Sequence, residues 1–140
     1  MLQLTERWFL DGIVSYVRGE RRDIDDDLYR IAPLNTTLAL THRRASWSVT
    51  LESQFYAEQD RVSATNDESI SGGYGLLNLY GQYELPAQGV TFTAGVDNML
   101  DKQYRPHLAG TNRVINSDVP AGLRLPGDGI NGYLRLSLHW

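Results

Sequence analysis

The chain has 140 residues, 41% of them hydrophobic and 21% charged, a balance typical of folded domains rather than disordered chains. Its 13 basic and 17 acidic side chains leave a net charge of −4, so it lacks the basic face of a general nucleic-acid binder and no nucleic-acid partner is expected. The absence of cysteine excludes disulfides and thiolate metal sites, and no run approaches the ~18 apolar residues of a membrane helix.

A membrane β-barrel stays open, because its alternating strands give only weak hydropathy signals. The start of the chain does not read as a signal peptide, since Glu6 and Arg7 interrupt any apolar core.

Taken in chain order, the dominant period is two. Leu2 to Leu4 reads as the stub of a strand. Over residues 8–18, Leu10, Gly12, Val14 and Tyr16 share one face, blurred by Phe9, Ile13 and Val17. Over 34–43, Leu34, Leu38 and Leu40 alternate with Asn35, Thr37 and Thr41. Over 46–58, Trp47, Val49, Leu51 and Phe55 alternate with Ser48, Thr50, Glu52 and Gln54. Over 73–85, Leu77, Leu79, Gly81, Tyr83 and Leu85 alternate with Asn78, Tyr80, Gln82 and Glu84. Over 90–98, Val90, Phe92, Ala94 and Val96 alternate with Thr91, Thr93 and Asp97. Over 130–140, Leu134, Leu136, Leu138 and Trp140 oppose Tyr133, Arg135, Ser137 and His139.

Such alternation marks half-buried strands, and no segment sustains a helical period. The chain is therefore expected to be all-β, an antiparallel up-and-down meander of about six strands. Asp11-Gly12 and Asn131-Gly132 favour hairpin turns, yet both fall inside these strands, where glycine marks bending or close approach.

The connections alternate in length. Those at 5–7, 43–45 and 86–89 are short, whereas 19–33, 59–72 and 99–129 are long and polar. Short and long turns then sit at opposite ends of the sheet, as in membrane barrels. The aromatics agree. Trp8, Trp47 and Trp140 fall at the short-turn end, and Tyr16, Phe55, Tyr56, Tyr74 and Tyr104 toward the long-loop end. From Trp47 to Phe55 a strand rises roughly 26 Å, or about 20 Å of height at a tilt of about 40°, close to the ~25 Å apolar band of an outer-membrane barrel.

The stretch Gly95-Val96-Asp97-Asn98-Met99-Leu100-Asp101-Lys102-Gln103-Tyr104, with Pro106-His107-Leu108 after it, resembles the penultimate-strand signature of TonB-dependent outer-membrane receptors, usually Gly-Val-x-Asn-Leu-Phe-Asp-Lys-x-Tyr. Met99-Leu100 stands where Leu-Phe is usual. The final stretch from Tyr133 to Trp140 is similar to that family's closing strand, and Tyr29 to Leu34 to one of its loop-to-strand passages.

The resemblance covers essentially all 140 residues and implies the C-terminal portion of the receptor's transmembrane β-barrel. The plug domain and its TonB-contacting segment are not among these residues. Six strands are too few to close a membrane barrel, for which about eight is the practical minimum, so a fragment of a larger barrel is expected.

The resemblance further implies transport in the cell outer membrane of Gram-negative type, with uptake of a ferric siderophore or another metal chelate. Its implied partners are outer-membrane lipids and lipopolysaccharide, the TonB complex acting through the plug, and the barrel-assembly machinery, which would read Trp140 as its assembly signal. Asn98, Asp101, Lys102 and Tyr104 would form a hydrogen-bonded structural cap at the barrel rim.

Candidate ligand contacts in the last long loop are His107, Arg105, Arg113 and Arg124, since arginine pairs well with carboxylates and catecholates. Without a ligand, His107 reads as a surface histidine. Arg18, Arg21 and Arg22 suit lipopolysaccharide phosphates.

The acidic run Asp23-Ile24-Asp25-Asp26-Asp27 is not an EF-hand, since Leu28 replaces the turn glycine and Leu34 the bidentate glutamate. It reads as a solvated outer loop or a loose cation site. The three histidines are too far apart in sequence for a metal cluster, and no metal or cofactor is expected. No nucleophile elbow, zinc-protease motif or phosphate loop occurs, so the chain is not expected to be an enzyme. The alternative reading is a soluble β-barrel or sandwich that binds a small ligand.

Overall fold

The computed structural model describes residues 1–138, and these form one antiparallel sheet in the strand order β1 to β7, each strand bonded to its neighbours in sequence. The strands are β1 (Leu2–Gln3), β2 (Trp8–Ser15), β3 (Asn35–Arg44), β4 (Trp47–Tyr56), β5 (Tyr74–Leu85), β6 (Val90–Asp97) and β7 (Asn131–Leu138). All six expected strands are present, and the stub is β1, pairing Leu2 with Leu10 and Gln3 with Phe9. His139 and Trp140 lie outside the described residues, and the assembly signal expected of Trp140 lies there with them.

Strand ends follow pairing rather than composition. The alternation of β2 runs on to Val17, but its ladder stops at Ser15 because its partner begins at Asn35. At the end of β6, Asn98 adopts φ +48, which leaves the β region and ends the strand at Asp97. Both hairpin-type dipeptides sit inside ladders: Asp11-Gly12 opposite Ala39 and Leu38, and Asn131-Gly132 opposite Asp97 and Val96. At Gly12 a Cβ would lie 3.1 Å from Leu38 Cδ2, so the glycine makes room for that leucine.

The register sorts residues onto two faces, because cross-strand partners share a face. One face is apolar. Leu10, Leu40, Leu51 and Leu79 make a row with Val96, and Trp47, Tyr83, Phe92 and Leu136 make another nearer the short turns. Beside these, His42 packs between Trp8 (4.7 Å between ring centroids) and Trp47 (5.1 Å).

Nothing covers this face: among the described residues no hydrophobic side chain is buried, and Leu134 is 76% exposed. A water-soluble sheet of this size hides one face against another layer.

The other face is polar and hydrogen-bonded. Glu52 accepts from Gln54 Nε2 (2.8 Å) and Asn78 Nδ2 (2.9 Å). The Tyr80 hydroxyl donates to Asp97 (2.9 Å), and the hydroxyls of Thr41 and Thr50 bond to each other (2.8 Å). Here Gly95 provides a seat for Tyr133, since a Cβ would stand 2.5 Å from its ring.

Candidate functional site

The three long loops, 16–34, 57–73 and 98–130, leave the same end of the sheet and join there. The third starts with two left-handed residues, Asn98 and Asp101, both at φ +48, a conformation that Asn and Asp tolerate better than most side chains.

Asn98 is buried and receives a bond through Lys102 N (2.8 Å) on its Oδ1. It donates through Nδ2 to Lys102 O (2.9 Å) and Asp128 O (3.1 Å). Its own N–H donates to Asn78 Oδ1, which ties the loop start to β5 (2.9 Å). Asp101 Oδ1 accepts from Ile130 N (3.0 Å) just before β7. Tyr104 O accepts from Gly127 N (2.9 Å), and its ring lies so close to Gly127 that a Cβ there would meet Cζ at 2.2 Å. The structure thus brings Asn98, Asp101, Lys102 and Tyr104 together where the loop leaves β6 and returns to β7.

Tyr104 also continues an aromatic column on the polar face. Tyr56 and Tyr74 are stacked at 4.6 Å, and Tyr74 and Tyr104 lie 4.7 Å apart. Beside the column a cleft of about 900 Å³ opens between the second and third loops. Residues 69–74 form one wall; Asp101, Lys102, Tyr104, Arg105, Arg124 and Gly127 contribute to the other.

His107 is not a surface residue, as the sequence reading had it in the absence of a ligand; it is 4% exposed. Its Nδ1 lies 2.8 Å from Ser71 Oγ and its Nε2 3.1 Å from Glu68 Oε1. A neutral ring satisfies both, Nε2–H donating to the carboxylate and Nδ1 accepting from the hydroxyl. Burial lowers the His107 pKa, and Arg124 lowers it further against the opposing pull of Glu68.

Arg124 is also buried. Its Nε donates to His107 O (2.9 Å), its Nη1 to Ser69 Oγ (3.0 Å) and its Nη2 to Ser69 O (2.7 Å). Arg105 Nε donates to Arg124 O (2.9 Å). Arg113 stands exposed on the loop tip, apart from the cleft wall.

Several residues hold the loops in roles that the sequence reading did not assign them. Glu68 Oε1 also accepts from Arg30 N (3.1 Å) and its Oε2 from Ser63 N (3.0 Å). Asp26, from the acidic run, accepts from Ser63 Oγ, Ala64 N and Thr65 Oγ1 at 2.6 to 2.8 Å. Those donors, the Thr65 hydroxyl first, hold its carboxyl well below the usual carboxylate range. Asn112 bonds Val114 O (2.9 Å) and Ser117 Oγ (2.8 Å); of these residues only it had a legible cue, the Asn-initiated turn. Among the described residues no group of His, Asp and Glu is arranged to hold a metal ion.

A meander with one bare apolar face, a bonded polar face, and short and long turns at opposite ends is a piece of barrel wall. The family model described as TonB dependent receptor-like, beta-barrel matches residues 2–99, and the chain belongs to that family. Among solved structures, the chain is similar to one titled "Copper transporter OprC", at 30% identity and a TM-score of 0.87. The match covers 96% of this chain and 21% of that one, so the chain spans about a fifth of that transporter's length. Comparison with curated proteins finds no match.

Proposed function

We propose that this chain forms part of the wall and outer vestibule of an outer-membrane receptor that imports a ferric siderophore or another metal chelate. The observation that carries this reading is the uncovered apolar face opposite an ordered polar face. Lipid is the solvent that such a face fits, and the polar face then lines the lumen. Likeness to a copper transporter favours metal cargo.

Energy from TonB would act on a plug outside these residues, and Trp140 would be read by the barrel-assembly machinery. Asn98, Asp101, Lys102 and Tyr104 serve as the rim cap that sets how the last loop departs. Lys102 and Arg105 line the cleft and are the cations best placed for an anionic chelate; Arg113 at the tip would make first contact. In the first loop Arg18 pairs with Glu20 and Arg21 with Asp23, which leaves Arg22 for lipopolysaccharide phosphate.

The test is fractionation of source cells with an antibody to the 99–129 loop, comparing heated and unheated samples. A heat-shifted outer-membrane band several times larger than 15.8 kDa is expected. A soluble band would replace this reading with that of a small ligand-binding β protein. Deletion of the gene should then impair growth only where the metal is supplied as a chelate.

A further inference from the structure

The outer loops contain the most deeply buried ionisable groups of the described residues, in a molecule with no buried apolar core there. The Glu68 and His107 side chains are 3% and 1% exposed. Together with Arg124 they join all three loops: Glu68 holds Arg30 N of the first loop and His107 of the third, and Arg124 holds residues 69 and 70 of the second. Ser69 to Ser71 and Arg124 are also cleft wall. Both sides of the cleft are therefore set by one polar node rather than by apolar packing.

We propose that Glu68, His107 and Arg124 are positioning residues that latch the walls of the outer cleft, and that the latch holds while His107 is neutral and loosens when it is protonated. In the closed geometry the imidazole accepts a hydrogen bond from the Ser71 hydroxyl on Nδ1 and donates one to Glu68 from Nε2. A second ring proton, on Nδ1, reverses that bond: Ser71 Oγ must turn to accept, and its own proton loses the ring nitrogen as partner.

It also places a cation in a buried site already facing two others. From the third loop Arg124 faces the ring, and from the first loop Arg30 lies close enough to oppose its charge. From the second loop Glu68 alone attracts it, and that carboxylate is already shared with Arg30 N and Ser63 N. Burial and the two arginines outweigh Glu68, so the folded form prefers the neutral ring.

The sign follows from linkage. A histidine whose folded pKa is depressed contributes its full stabilisation above its unfolded value of about 6.5, and loses it as pH falls through the folded value. The latch is accordingly closed near neutrality and releases on the acid side of about 6.5.

The experiment uses the full receptor in outer-membrane vesicles. Spin labels are placed at Asp60→Cys in the second loop and Ile115→Cys in the third, both exposed. Pulsed-EPR distances are read from pH 8 to pH 5. The expected result is a narrow distribution at pH 8 that gains a second, longer population as pH falls.

His107→Gln keeps a donor for Glu68 and an acceptor for Ser71 without a titrating group, so it should stay narrow throughout. Glu68→Gln should be broad even at pH 8. Heat-modifiable mobility of each variant reports whether the barrel itself has folded. A wild-type distribution unchanged between pH 8 and pH 5, or a His107→Gln variant that keeps the pH response, overturns the proposal. The distances are read without any metal chelate, so failure here leaves the transport reading standing, and failure of transport leaves the latch standing.

Discussion

The two ends of the sheet are built on different principles. At the short-turn end the chain reverses within a few residues, and order comes from covalent economy and aromatic contact: Trp8, His42 and Trp47 in a row, and Gly89 at φ +62 closing the turn after Pro86. At the long-loop end 33 residues separate β6 from β7, and order comes from buried polar groups that bond across loops. The first kind of order arises in tight reversals and between side chains of directly paired strands. The second is long-range and rests on the ionisation of a few groups, which suits the end that would face a changing medium.

The largest effect should come from the sheet. Leu136 lies on the apolar face beside Phe92, and Leu136→Arg should cost about 2–4 kcal/mol in a lipid setting and impair assembly, read as loss of the heat-modifiable band. Ser137→Arg, one residue on and on the polar face opposite Thr91, should assemble normally. Equal tolerance of the two would invert the assignment of faces.

Next comes the latch end. Arg124→Ala removes the donors to His107 O, Ser69 O and Ser69 Oγ and should cost about 1.5–3 kcal/mol of local stability. Faster hydrogen exchange should be confined to 68–71 and 107–125, with β2 to β6 unchanged. A uniform rise would mean that the loops and the sheet unfold together.

A smaller effect, about 1–3 kcal/mol, is expected for Gly127→Ala, whose Cβ would collide with the Tyr104 ring. Mass-spectrometric footprinting of Tyr104 should then show higher exposure, while the labelling of Tyr133 on Gly95 stays unchanged.

The mildest change is Asp26→Asn. Asp26 has a depressed pKa, so its contribution is present above the usual carboxylate range and lost as pH falls below it. The variant should loosen 63–65 near neutrality and match the wild type only in strong acid, as seen by proteolysis of that loop.

This contrast also marks what the sequence discloses. Period-two alternation located every strand, because a strand's neighbours on each face are two residues away and the pattern is local. Even Gly12 and Gly132, in turn-prone dipeptides, were placed inside strands. Where alternation overran, as at Tyr16 and Val17, the missing information was the partner's starting point, which is non-local. The Asn98-to-Tyr104 segment was legible as a polar break from its residue types, and its Asn98–Lys102 bonds are short in sequence, whereas the bonds to Asn78, Asp128 and Ile130 are not.

His107 was not. Its partner Glu68 lies 39 residues away, in a polar loop with no period, and nothing near either residue signals that both are buried. Arg124 drew attention as a cation; the structure turns it toward loop carbonyls, which no spacing could reveal.

The uncovered apolar face bears on what stability means for this chain. For a protein with an internal core, the free energy of unfolding belongs to the polypeptide in water. Here the side chains that would form a core lie against whatever surrounds the sheet. The thermodynamic unit is therefore the chain together with its amphiphile, and its melting point is a property of both. In detergents of graded acyl length, the same sequence should give a family of melting temperatures, highest where micelle thickness matches the height of the apolar face from the Trp47, Tyr83 and Phe92 row through the row of leucines. In plain water the reference state is lost, because face-to-face association of sheets competes with folding.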